Sequence, residues 1–242
     1  MNHIYRVVWS AAKGGWVATS ELARSRTKRG RTVSALALGG LLLANTAAQA
    51  NPHGGNVVAG QASIQTAPAQ VTINQSSDKA IIEWQGFSID AGETTRFNQP
   101  SAQSITLNRV TGGDPSKILG VLSANGRVFL INRNGILFGR NAQVDVAGLV
   151  ASTHDIANDD FMAGDFRFHI PGRPDASVVN EGTISIAEAG LAAFVAPTVR
   201  NDGVIQARFG KVALAAGEGF TLDLYGDQLL EIAVDPDDLA AV

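Results

Sequence analysis

Few side chains in this sequence are placed for covalent or metal chemistry. The four histidines, His3, His53, His154 and His169, stand at no spacing that lets two share an ion, and there is no cysteine. That composition excludes thiolate catalysis, disulfides, Cys-ligated zinc and lipoprotein acylation. Carboxylates gather at Asp155, Asp159, Asp160 and Asp165. Their spacing is not that of a calcium loop, so they read as a solvated acidic stretch. With Arg167 and Arg173 they are the only grouping a polysaccharide lyase could use, and the grouping is loose. No G-x-S-x-G, H-E-x-x-H or phosphate-loop pattern occurs, and Gly113–Lys117 reads as a turn. The expectation is no catalytic residue, no metal and no cofactor.

The most informative local segment runs from Asn125 to Gly139. Two Asn-Gly pairs, Asn125-Gly126 and Asn134-Gly135, lie nine residues apart around the apolar run Val128–Ile131. Asparagine side chains bond nearby backbone and glycine bends where other residues cannot, so both pairs predict corners. Asn132, Arg133, Asn134, Gly135 and Ile136 form the candidate recognition turn, with Asn132, Asn134 and Gly135 as its turn formers.

The elements around these corners are short strands. Val71–Asn74, Phe87–Asp90, Ile105–Leu107, Val144–Val146, Thr183–Ile186 and Thr221–Leu224 alternate apolar with polar residues, the period of a half-buried strand. Only Asp159–Asp165 suggests a helical turn. An internal repeat sets the architecture: Asn180-Glu181-Gly182 and Asn201-Asp202-Gly203 are 21 residues apart, each followed by an alternating strand. Gly190–Ala196 falls likewise on Gly210–Ala216. A period near 20 built only of strands and turns suits one rung of a parallel β-helix better than a β-sandwich. The Asn-acid-Gly corners predict positive φ. About nine rungs would stack over the body, with Ala59–Thr66 as N-terminal cap and no evident cap after Asp235–Asp238. Low aromatic content, 6%, predicts a narrow core of small and branched side chains.

Charge divides the chain. Residues 1–50 carry 7 of the 19 Lys+Arg and 1 of the 22 Asp+Glu, a net of +6; residues 51–242 therefore carry a net of −9. So acidic a body lacks the basic face a nucleic-acid binder needs. Within residues 1–50, the basic run Thr27–Arg31, the apolar stretch Val33–Ala44 and the ending Ala48-Gln49-Ala50 form a secretory signal. Ala48 and Ala50 are the positions a signal peptidase reads, leaving 51–242 as the mature domain. The apolar core is about a dozen residues, short of the ~20 that span a bilayer. Roughly thirty residues precede the usual basic region. Tyr5, Trp9 and Trp16 would share one face of a helix there, predicting an interfacial helix.

Taken in order, Ala80–Ile89, Phe97–Pro100, Leu107–Gly112, Ile118–Gly120 and Asn132–Ile136 resemble the secretion domain of the filamentous-haemagglutinin family, in its high-molecular-weight adhesin branch. Gram-negative bacteria export these proteins by two-partner secretion. Ile4–Trp9 through Ser20–Arg24 resemble the extended signal peptide of that family. The resemblance implies a right-handed parallel β-helix. It implies export by the inner-membrane machinery, and recognition by an outer-membrane transporter with periplasmic POTRA domains. Folding outside the cell and, through an adhesin, contact with a host-cell surface would follow. The family motif Asn-Pro-Asn-Gly-Ile falls on Asn132–Ile136 with Arg133 in place of proline, while the motif Asn-Pro-Asn-Leu is not visible. On this reading the chain is a non-enzymatic secretion module of a surface exoprotein. A β-helix enzyme acting on polysaccharide and the stalk of a contact-dependent toxin stay open as alternatives.

Overall fold

The computed structural model of the chain describes residues 5–10, 15–20, 51–217, 219–222 and 230–233. Two compact units are present, Met1–Asn45 and Thr46–Val242. In the first, strands Tyr5–Ser10 and Gly15–Ser20 pair antiparallel, with Trp9 opposite Trp16. This replaces the expected helix. Val7, Val8 and Val17 are β-branched and, with the aromatics, favour extended backbone over helix.

The second unit is a parallel β-solenoid. Its first sheet stacks Ala62–Ala67, Gln70–Gln75, Thr94–Asn98, Val121–Ala124, Gln143–Val146, Thr183–Ile186 and Val204–Ala207. The second stacks Asn56–Ala59, Lys79–Trp84, Ile105–Val110, Arg127–Asn132, Gly148–Ser152, Leu191–Ala196 and Lys211–Ala216. A third, of Ser116–Ile118, Ile136–Phe138, Ser177–Asn180 and Thr198–Asn201, closes the cross-section. The repeat legible in sequence is a stacking register: Asn180 pairs with Asn201, Thr183 with Val204 and Phe194 with Leu214. Phe87–Asp90 is not a strand. It occupies the third-sheet position of its turn through one bridge, Ile89 to Ile118. At the N-terminal end Asn56–Ala59 and Ala62–Ala67 run antiparallel to their neighbours, which closes the stack as a cap.

There are about seven turns rather than nine, because turns are longer than the repeat suggests. First-sheet strands begin at Gln70, Thr94, Val121, Gln143, Thr183 and Val204, so one turn takes 21 to 27 residues and one takes 40. The long one carries an excursion from Thr153 to Ala176, containing the helix Asn158–Ala163 and the strand Phe166–Phe168. That strand pairs antiparallel with Gly219–Leu222, which pairs with Leu230–Ala233.

The excursion creates a second core. Inside the solenoid lie Val71, Ile73, Leu122, Val128, Leu130, Val144 and Ile184. The interior is also wider than the composition implies: it holds Trp84 edge-on to Phe87 at 5.6 Å and Phe138 stacked on Phe194 at 5.6 Å. Outside the second sheet, Phe129, Ile131, Leu107 and Val150 pack against Phe161, Phe166 and Phe168 of the excursion. The second sheet is therefore apolar on both faces, which explains the unbroken run Val128–Ile131.

The corner glycines act by closeness rather than by positive φ. Gly182 and Gly203 are not among the residues with positive φ. A Cβ at Gly203 would lie 2.2 Å from the Gly182 carbonyl oxygen, and one at Gly182 2.6 Å from that of Gly139. Stacked corners bring backbones too near for a side chain. Asn180 Nδ2 donates to Asn201 Oδ1 at 2.8 Å, tying the two corners together.

Candidate functional site

Asn132–Ile136 links the second sheet to the third at the middle of the solenoid. Strand Arg127–Asn132 ends with Asn132 fully buried, its side-chain amide turned into the corner. Nδ2 donates to the Asp114 carbonyl and to Ser116 Oγ, both at 3.0 Å. Oδ1 accepts from the Asn134 amide at 2.9 Å, an Asx turn. The Gly135 amide donates to the Asn132 carbonyl at 3.0 Å and closes a four-residue turn. Neither Arg133 nor Asn134 has positive φ, which leaves a type I turn with Arg133 at its second position. Proline is favoured there, so Arg133 stands where the proline of the resembling motif fits without distortion.

The same turn is fastened to both neighbouring turns. Asn134 Nδ2 donates to the Gly112 carbonyl at 3.0 Å. Gly135 adopts φ +116°, and its carbonyl accepts from the Ser116 amide at 3.0 Å. Ile136 is buried in the interior core, paired with Ser116 on one side and Val178 on the other. Arg133 points to solvent while its carbonyl accepts from the Arg173 amide at 3.0 Å. All five residues anticipated from the motif thus belong to one rigid corner. The other Asn-Gly corner is clasped by Gln99, whose backbone amide and carbonyl each meet the Asn125 side chain at 2.7 Å.

Two concavities flank the turn. One, of about 330 Å³, lies between Arg109, Gly112, Arg133, Asn134, Asp155 and Arg173. The other, of about 400 Å³, is bordered by Lys117, Leu137, Val179, Glu181 and Arg200. The floor of the first is an ion-pair hub that local sequence patterns do not disclose. Arg109 Nε reaches both Asp155 oxygens at 2.8 and 2.9 Å, Nη1 reaches Asn158 Oδ1 at 2.6 Å and Glu83 Oε1 at 3.4 Å, and Nη2 reaches the Ile156 carbonyl at 2.6 Å. Arg109 thereby ties three segments of chain together: the strand Lys79–Trp84, its own strand and the start of the excursion. Its partner lies 46 residues away, a separation with no sequence signature.

The remaining charged candidates are dispersed. Arg167 pairs with Asp165 at 2.6 Å, and Asp159 and Asp160 lie in the first turn of the short helix. Arg173 pairs with Asp175 at 3.1 Å; their hydrogen bond holds the Asp175 carboxyl below, and the guanidinium above, its ordinary range. His53 and His169 are exposed, whereas His154 is 1% exposed. Among the described residues, no group of three His, Asp or Glu side chains is gathered as a metal site requires. Ala48 and Ala50, the anticipated cleavage positions, lie outside the described residues.

Comparison with known proteins matches residues 48–238 to the TPS secretion domain. The chain belongs to the TPS secretion domain family. Residues 1–50 match the Extended Signal Peptide of Type V secretion system. The HMW1 secretion domain from Haemophilus influenzae superimposes with a TM-score of 0.71 at 36% identity, covering 77% of this chain and 50% of that one. A heme/hemopexin-binding protein of Haemophilus influenzae is 35% identical over 190 residues, which are 76% of this chain and 21% of that protein. The autotransporter adhesin NhhA of Neisseria meningitidis serogroup B is 48% identical over 52 residues, or 21% of this chain and 9% of that protein. The chain thus spans about a fifth of the heme/hemopexin-binding protein it matches. A TPS secretion domain behind an extended signal peptide marks the chain as secreted to the cell surface.

Proposed function

We propose that this TPS domain, as residues 51–242 after removal of residues 1–50, is the non-enzymatic N-terminal secretion module of a larger surface exoprotein, an adhesin acting at a host-cell surface. The periplasmic POTRA domains of its transporter recognise the turn Asn132–Ile136, and the solenoid then nucleates folding outside the cell. The observation that carries the recognition role is the corner itself. Its Asx bond from the Asn134 amide to Asn132 and its closing bond from the Gly135 amide to the Asn132 carbonyl are local to the turn, so this much of the corner can form before the solenoid does. Stacking supplies the driving force for folding, because each added turn buries its apolar face on the previous one. Val204, Phe209, Val212 and Leu214 are exposed on the last described turn, the kind of surface a further rung covers. A chain without cysteine also threads a pore with no disulfide to obstruct it.

The rival enzyme reading requires free acidic and basic groups on one face. Arg109 with Asp155, Arg167 with Asp165 and Arg173 with Asp175 are instead joined pairwise. A toxin stalk would share this domain and differ only in the domains C-terminal to it. Binding to the solubilised transporter tests the recognition turn. Asn132→Ala removes the Asx bond from the Asn134 amide that shapes the turn locally and should weaken binding about tenfold. Unchanged affinity in a variant that remains folded contradicts a recognition role for the turn.

A further inference from the structure

We propose that Asn125-Gly126 is a site of spontaneous deamidation that folding closes, with Gln99 as its guard. The chain holds two Asn-Gly pairs, Asn125-Gly126 and Asn134-Gly135. Asparagine is thermolabile, and a following glycine offers a backbone nitrogen that no side chain shields. In an open chain the Gly126 nitrogen attacks Cγ of Asn125. The N–Cγ bond forms, the Cγ–Nδ2 bond breaks, and Nδ2 leaves as ammonia with the proton given up by the Gly126 nitrogen. Water then opens the cyclic imide at either carbonyl, leaving aspartate or isoaspartate. Water is the only co-reactant.

The attack requires the Asn125 side chain to swing over the next peptide until the reacting atoms are about 3–3.5 Å apart. In the folded domain one residue prevents this. The Gln99 backbone amide donates to Asn125 Oδ1 and its carbonyl accepts from Asn125 Nδ2, both at 2.7 Å. The attacking group is held too, because the Gly126 amide donates to Gln99 Oε1 at 2.9 Å. Gln99 is itself buried, and its Nε2 donates to the Ser104 carbonyl, Thr106 Oγ1 and the Arg127 carbonyl at 3.2, 3.0 and 3.0 Å, which fixes the orientation of its amide. Gln99 lies 26 residues before Asn125, on the preceding turn, so the guard exists only once the two turns have stacked. Deamidation before stacking puts a carboxylate oxygen where Nδ2 would donate, and two acceptors then face each other across the corner. Time spent unfolded is thus recorded at Asn125, and folding stops the record. The second pair is closed by different partners, the Gly112 carbonyl and Asn132. None of this depends on what the turn Asn132–Ile136 recognises.

The test incubates the purified chain in mildly alkaline buffer, folded or unfolded in urea, and follows conversion of Asn125 and Asn134 by peptide mass spectrometry. In urea both pairs should convert at similar rates. In the folded chain both should be slower by about a hundredfold or more, since each needs several hydrogen bonds broken. Gln99→Met keeps the bulk and removes the acceptor for the Gly126 amide. Asn125 should then convert about tenfold faster in the folded variant while Asn134 keeps its wild-type rate. Melting temperature verifies folding. If Gln99→Met does not fold, Thr106→Val removes one anchor of the Gln99 side chain and should give the same selective rise on a smaller scale. Conversion of Asn125 as fast in the folded chain as in urea would overturn its closure by the fold. An unchanged Asn125 rate in the folded variant, or an equal rise at both pairs, would overturn the guard.

Discussion

Gly135 answers two demands at once. Its φ of +116° lies where side chains are disfavoured, and a Cβ there would sit 3.1 Å from the Ser177 carbonyl oxygen of the next turn. Gly135→Val should therefore cost more than about 1 kcal/mol, read as a lowered denaturation midpoint. Wild-type stability would show the corner to be ordinary. His154 makes a different prediction. Its ring is buried, with Nδ1 lacking a hydrogen-bond partner, and burial holds its pKa below the ordinary 6.5. The unfolded chain then takes up a proton the folded domain refuses, so this contribution to stability is complete above about pH 6.5 and declines as pH falls below it. His154→Gln should flatten the fall in melting temperature between pH 7 and 5, and an unaltered slope would refute this. At this scale the sequence displayed the turn, because Asx and glycine chemistry is local. It concealed the Arg109–Asp155 pair, which the coiling of the whole chain brings together. It also misassigned the corner glycines, whose reason is the backbone of the neighbouring turn.

Among the elements, the second sheet decides how the domain holds its excursion. Val128 and Leu130 face the solenoid interior while Phe129 and Ile131 face outward under Phe161, Phe166 and Phe168. Phe129 contacts all three rings, at centroid separations of 6.0, 5.6 and 6.1 Å. Phe129→Ala should remove about 3–5 kcal/mol of stability. It should also release hydrogen-exchange protection first in Asn158–Phe168. A loss below about 1 kcal/mol with protection intact would mean the excursion is held elsewhere. The strands that alternate, such as Gln143–Val146, were legible because one of their faces meets solvent. The unbroken run Val128–Ile131 did not disclose what covers its outer face, since the covering rings arrive some thirty residues later. Phe87–Asp90 alternates like a strand yet makes only one bridge, because the turn preceding it supplies no strand to pair with.

For the whole molecule, the 21-residue repeat was enough to establish a solenoid, and the register of Asn180 on Asn201 confirms its phase. The number of turns was not legible, because insertions of a few residues, and one of about a whole turn, interrupt the period without altering the stack. The parallel solenoid, its antiparallel cap and the match over residues 48–238 converge on a secretion domain. The most direct test is secretion of this chain by cells with and without its transporter, together with N-terminal sequencing of the released protein. The account predicts release only when the transporter is present, with the product beginning at Asn51. Retention in the periplasm beside a working transporter would contradict it.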